Sequence, residues 1–120
     1  MAQNHRQALN AYVTITRMGK KATGKNAFAL FRMKQKLKEL IEFQAEEEQK
    51  LVEKHGGTIA EDGTITIKDE EQRIAFSADK AKLYELPVDP EVEPVTVELD
   101  GIPEITMDEI EALDGFVTFK

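Results

Sequence analysis

Residues 31–49, FRMKQKLKELIEFQAEEEQ, decide how the chain is read. Their apolar members recur three and four apart, and the stripe extends both ways, through Ala27, Leu30, Phe31, Met33, Leu37, Leu40, Ile41, Leu51 and Val52. That spacing predicts one continuous amphipathic helix. Leu30, Leu37 and Leu51 keep a heptad register, with Gln44 in the missing place. The helix is expected to start near Lys25 and to stop at His55-Gly56-Gly57, where a glycine supplies a left-handed cap. At 1.5 Å per residue about 29 residues make a rod of about 43 Å, so part of it must pack on something long or protrude.

The same stretch changes the sign of its charge. Arg6, Arg17, Lys20, Lys21, Lys25, Arg32, Lys34, Lys36 and Lys38 precede the first carboxylate, Glu39. All 23 acids lie in residues 39–120, beside the remaining cations, so a net charge of −7 hides a basic third and an acidic remainder. A cationic N-terminal half and an acidic C-terminal half oppose the helix dipole, which implies a compensating partner. Three are considered. The acidic segments 69–85 and 88–111 can fold over the basic region. Two copies packed antiparallel can set Arg32, Lys34, Lys36 and Lys38 against Glu46, Glu47, Glu48 and Glu53, as a two-fold homodimer would. Nucleic acid can occupy the basic third, although Phe28 and Phe31 fall on the apolar stripe and are expected in the core.

Outward from the long helix, residues 6–17 have both helical spacing and the strand-like run YVTIT, and a helix is the expected state. MGKKATGK is a turn with Thr23 as a cap. TIAEDGTITIK is a β-hairpin about Asp62-Gly63. Asp69 with Gln72 has capping-box spacing before a helix running through Ile74, Phe76, Leu83 and Tyr84, which should lie on the long one. Pro87, Pro90 and Pro94 mark an acidic extended linker, VTVEL reads as a strand, and Thr106 with Glu109 caps MDEIEALD. GFVTF is a short closing strand. The expected architecture is a single α+β, mainly helical domain over residues 1–120: a long helix, one or two partner helices, and minor β structure at 58–67 and 95–99, around one small core.

A basic turn leading into KNAFALFRMKQKLKELIEF, the Lys-His-Gly-Gly stop, VEPVTVELDGIP and the final ITMDEIEALDGF together resemble a loose group of small phage and prophage proteins of unknown function. GFVTFK departs from the more acidic helical ending of that group. The resemblance implies phage context and carries no catalytic or ligand residue.

Chemistry is sparse. With no cysteine there is no disulfide framework, thiol catalyst or thiolate metal site. His5 is read as lying at a frayed terminus and His55 at a helix end favoured by the dipole. Glu46-Glu47-Glu48 point in different directions and cannot converge on a metal. Thr23-Gly24-Lys25-Asn26 is an anion-site candidate at a helix start but lacks P-loop spacing. No cofactor or metal is called for. The expected role is non-enzymatic: a phage accessory protein in the host cytoplasm, binding a protein partner or itself, with nucleic-acid binding as the alternative. Neither a signal peptide nor a membrane span is expected.

Overall fold

The computed structural model describes residues 3–120. Among these residues two helices, α1 (His5–Met18) and α2 (Gly24–Lys54), are followed by the strands β1 (Thr58–Ile59) and β2 (Ile65–Thr66), then by α3 (Glu70–Glu85), β3 (Val95–Val97), α4 (Met107–Leu113) and β4 (Val117–Phe119). The expected α+β, mainly helical class is what the structure has. At 31 residues α2 runs most of the 51 Å long axis of the molecule. It does not protrude bare: α1 and β3 cover one part, and α3 and β1 the rest.

The helical reading of residues 6–17 holds, and its β-branched run is accommodated locally. Thr14 and Thr16 turn their hydroxyls back onto the carbonyls of Asn10 (2.7 Å) and Tyr12 (2.9 Å), within the helix. The start of α1 is fixed by reciprocal capping between Asn4 and Gln7, at 2.8 and 3.0 Å. His5 is therefore buried in a capped first turn, not frayed. Its main-chain N–H donates to Leu86 (3.0 Å), while Val88 N–H donates to Gln3 (2.9 Å), so residues 3–5 lie antiparallel to 86–88.

The end of α2 follows the glycine reading. Gly56 has φ +70°, its N–H reaches Glu53 O (3.1 Å), and Gly57 N–H reaches Val52 O (2.8 Å), the pair of bonds of a Schellman motif. At the other end Thr23 occupies the cap position, but its hydroxyl makes no cap bond. The hairpin forms as expected, with Thr58 opposite Thr66 and Ile59 opposite Ile65.

β3 and β4 pair in parallel, Val95 with Val117 and Val97 with Phe119. A parallel pair needs a crossover, and the 3₁₀ turn Leu99–Gly101 with α4 provides it.

Two apolar clusters replace the single core expected. The larger unites Ala8, Ala11, Ile15 and Met18 of α1, Leu30, Met33 and Leu37 of α2, and Val97, Ile102, Leu113, Phe116 and Val117 of the C-terminal segment. The smaller joins Val52, Ile67 and Phe76 where the hairpin meets α2 and α3. Gln44, fully buried, keeps the heptad place between them and donates to His5 O (2.9 Å) and toward His5 Nδ1 (3.3 Å). A donor facing Nδ1 favours the neutral form of His5, and burial pushes its pKa down. The Gln44 Oε1 has no partner.

Leu37 is inaccessible at the centre of the larger cluster. Leu37→Ala should lower unfolding free energy by about 2–5 kcal/mol. In the same urea titration Ile74→Ala, at a side chain 65% exposed, should move it by about 0.5 kcal/mol or less.

Candidate interaction surface

The stripe through Leu30, Met33, Leu37 and Gln44 sets which face of α2 is outward. Successive residues turn by about 100°, so Phe28 lies almost opposite Leu30 and Phe31 lies off the stripe's edge. Phe28 is 63% and Phe31 54% exposed. This corrects the expectation that both serve the core: spacing alone admitted Phe31 to the stripe, but the packed centre lies further round. Arg32 sits over the Phe28 ring, 5.9 Å from its centroid, within cation–π range.

The eight charged residues singled out on this helix are not one surface. Arg32, Lys38, Glu46 and Glu53 are exposed and form no ion pair among the described residues. Lys34 is half-buried, its Nζ 5.5 Å from the Tyr12 ring centroid. Lys36 donates to Glu93 O (3.3 Å). Glu47 pairs with Lys50 (3.1 Å) along the helix. Glu48 faces α3, where it pairs with Lys80 (2.9 Å) and accepts from the Tyr84 hydroxyl (3.2 Å). Burial, then the Glu48 charge and hydrogen bond, push the Tyr84 phenol up to about 12.

Intramolecular neutralisation is thus partial, and its pairing differs from the simple expectation. Segment 88–111 meets the basic region through Lys21, which pairs with Glu109 at 3.0 Å, and through Lys36. Burial works against the Glu109 charge, but the Thr106 N–H and the Lys21 ammonium outweigh it and hold the carboxyl below its ordinary range. Segment 69–85 instead meets the acidic half of α2 and supplies the cation Lys80 there.

Asn26 of the anion-site candidate has another task. It is buried, and its side chain donates to Glu98 O (2.8 Å) and accepts from Glu98 N–H (3.0 Å). Gly101 lies so close that a Cβ there would collide with the Asn26 amide nitrogen. Thr23, Gly24 and Lys25 are exposed at the helix start. Gln3 does comparable work at the other end of the C-terminal segment: its amide donates to Val92 O (2.8 Å) and Gly115 O (3.0 Å) and accepts from Val92 N–H (2.8 Å). Neither role had a signal in the sequence beyond an amide beside apolar residues.

The expected Asp69–Gln72 box is half formed. Asp69 accepts from the N–H groups of Glu71 (2.9 Å) and Gln72 (3.3 Å), but the Gln72 side chain turns to His55 Nδ1 (2.7 Å). His55 Nε2 meets Asp79 Oδ2 (2.9 Å), which also takes Lys54 (3.2 Å). Acceptors at both nitrogens favour the imidazolium form of His55. The bond to Gln72 and then that to Asp79 raise its pKa, while the bonds from His55 and then Lys54 lower that of Asp79.

Among the described residues no three His, Cys, Asp or Glu side chains are placed to hold a metal ion, and no helix is long and apolar enough to cross a membrane. What the arrangement offers is a helix-rich α+β scaffold with an aromatic and cationic face beside a strand edge. Set against protein-family models, curated proteins and solved structures, the chain matches none.

The His55 junction has a pH signature. Its raised group contributes fully below the ordinary value of 6.5 and fades as pH climbs through the folded value. Its lowered partner contributes fully above 3.8 and fades as pH falls through the folded value. In thermal melts this junction's contribution should therefore be level between these limits, where His5 and Glu109 supply the remaining pH dependence, and decline on the alkaline side. His55→Gln should flatten that alkaline decline relative to the unaltered chain.

Proposed function

We propose that this chain is a non-enzymatic binding protein that docks a protein partner on the outward face of the N-terminal half of α2. In line with its resemblance to small phage and prophage proteins, it serves as an accessory factor in the host cytoplasm, in assembly or as a modulator. The observation that carries the reading is the exposure of Phe28 and Phe31 on one face, with Arg32 laid over the first ring. Covering a phenylalanine side chain is worth about 1.5–3 kcal/mol, and aromatic residues and arginine are the types that anchor protein interfaces.

Two other occupants fit less well. Nucleic acid would find Glu93 on the wall beside Arg32 and Lys36, on a chain of net charge −7. A homodimer along the whole of α2 would bury Phe28 and Phe31 only at its two ends and seat Gln35, Glu39, Glu42, Glu46, Gln49 and Glu53 along the rest of its seam. Exposed ion pairs there contribute only about 0–1 kcal/mol each, too little to replace an apolar interface.

The test is capture from lysate of the phage-bearing host with tagged protein and a Phe28→Glu, Phe31→Glu double variant, each with and without nuclease. Both side chains are exposed, so the variant should keep the melting temperature of the unaltered chain. A specific protein that survives nuclease and is lost by the variant is expected. Recovery of nucleic acid, or loss of all bound protein on nuclease treatment, would move the function to the cations Lys25, Arg32, Lys36 and Lys38.

A further inference from the structure

β3 bonds to β4 through every second residue. Val95 N–H donates to Phe116 O (3.1 Å), Lys120 N–H to Val97 O (3.0 Å) and Leu99 N–H to Lys120 O (2.9 Å). Main-chain groups alternate sides along a strand, so those of Thr96 and Glu98 point to the other edge. At Glu98 that edge is already filled: the Asn26 amide gives and takes the two hydrogen bonds that a residue of a neighbouring strand would. At Glu93 the carbonyl is taken by Lys36. Pro94 has no N–H. Exposed Thr96, between these occupied positions, faces away from β4, the one strand that pairs with β3 among the described residues, and its N–H and C=O bond to nothing outside the sheet there. It opens into a groove of about 350 Å³ whose far wall is Phe28, Ala29, Arg32 and Lys36.

We infer that this groove takes a short extended peptide of the partner protein, carrying a carboxylate, as an added strand beside β3. The inference rests on the docking surface proposed above and names the form of its occupant. An extended segment offers Thr96 both an N–H and a C=O along its length, whereas a helix spends all but its terminal groups internally. The Phe28 ring supplies apolar cover for one side chain of such a segment. Arg32 and Lys36 supply the charge for an acidic one, while Glu93 on the rim disfavours a basic one. The added ladder is short, since Asn26 closes it at Glu98 and Lys36 at Glu93, so specificity comes from the aromatic and cationic wall. Asn26 sets the spacing: it holds α2 near β3 at Glu98 and leaves the gap at Thr96 open.

The test is an NMR titration of the full chain with an acetylated and amidated hexapeptide, Ser-Glu-Val-Thr-Glu-Ser. Two further peptides of that sequence are N-methylated at alternate residues, in the two possible frames, and a fourth has lysine for both glutamates. The unmethylated peptide should shift the Thr96 amide and slow its hydrogen exchange by about tenfold or more at saturation. One methylation frame should weaken binding by about tenfold or more and the other much less, since one edge of a bound strand faces Thr96. The lysine peptide should bind about tenfold more weakly than the acidic one, and Arg32→Glu, a surface change, should weaken the acidic peptide about tenfold and so remove that preference. Absence of binding at millimolar peptide, shifts confined to another face, or equal binding of both methylated frames would each overturn the inference. If these results come while the Phe28→Glu, Phe31→Glu variant still loses its captured protein, the docking face stands and only the added strand falls. If the variant keeps its captured protein as well, both fall.

Discussion

Asn26 and Glu98 make the contact on which the placement of the C-terminal third depends. Segment 86–106 contains few regular hydrogen bonds of its own, and an isolated two-stranded pair of three residues each is marginal in water. A single amide from the first turns of α2 completes the edge of that pair and fixes its distance from the helix. Gln3 secures the same third at Val92 and Gly115. Once these amides are buried their bonds are obligatory, since an unsatisfied buried polar group costs about 1–3 kcal/mol. The apolar side chains of Val97, Ile102, Leu113 and Phe116 supply the burial, and the amides supply the register.

The sign change along α2 follows from this layout. The basic half lies under a segment that reaches it with the Glu93 carbonyl at Lys36 and, just before the helix begins, with the Glu109 carboxylate at Lys21. The acidic half lies against α3, which offers Lys80 to Glu48. The charges left in water, Arg32 and Lys38 at one end and Glu46 and Glu53 at the other, share the outward face with Phe28 and Phe31. A solvated charged face is ordinary, and the proposed site rests instead on two exposed phenylalanines beside an arginine and an unpaired strand edge.

Much of the fold could be read from residue spacing: α2 and its glycine stop, the hairpin at Asp62-Gly63, α4 behind its Thr106–Glu109 box, and the strand character of VTVEL and GFVTF. Local chemistry sets each of these. The parallel pairing of the last two could not be read, because it depends on a crossover whose packing is not local. Gln72 was misjudged for a related reason: capping geometry allowed it to bond backward, but His55 arrived from elsewhere in the chain and took its side chain. Phe31 failed by a fraction of a turn, since a three-and-four pattern marks a broad stripe and only packing shows its centre. The candidate site was legible as a basic helix half, but its aromatic exposure and its open strand edge appear only in three dimensions.

The most direct measurement is residue-resolved hydrogen exchange of the unliganded chain at the edge of β3. If the Asn26 amide serves as a surrogate strand, the Glu98 amide is protected like the Val97 and Leu99 amides of the β4 ladder, while the Thr96 amide, two residues earlier on the same edge as Glu98, exchanges freely. Free exchange at Glu98, or protection of Thr96 equal to that of its neighbours, would contradict the account.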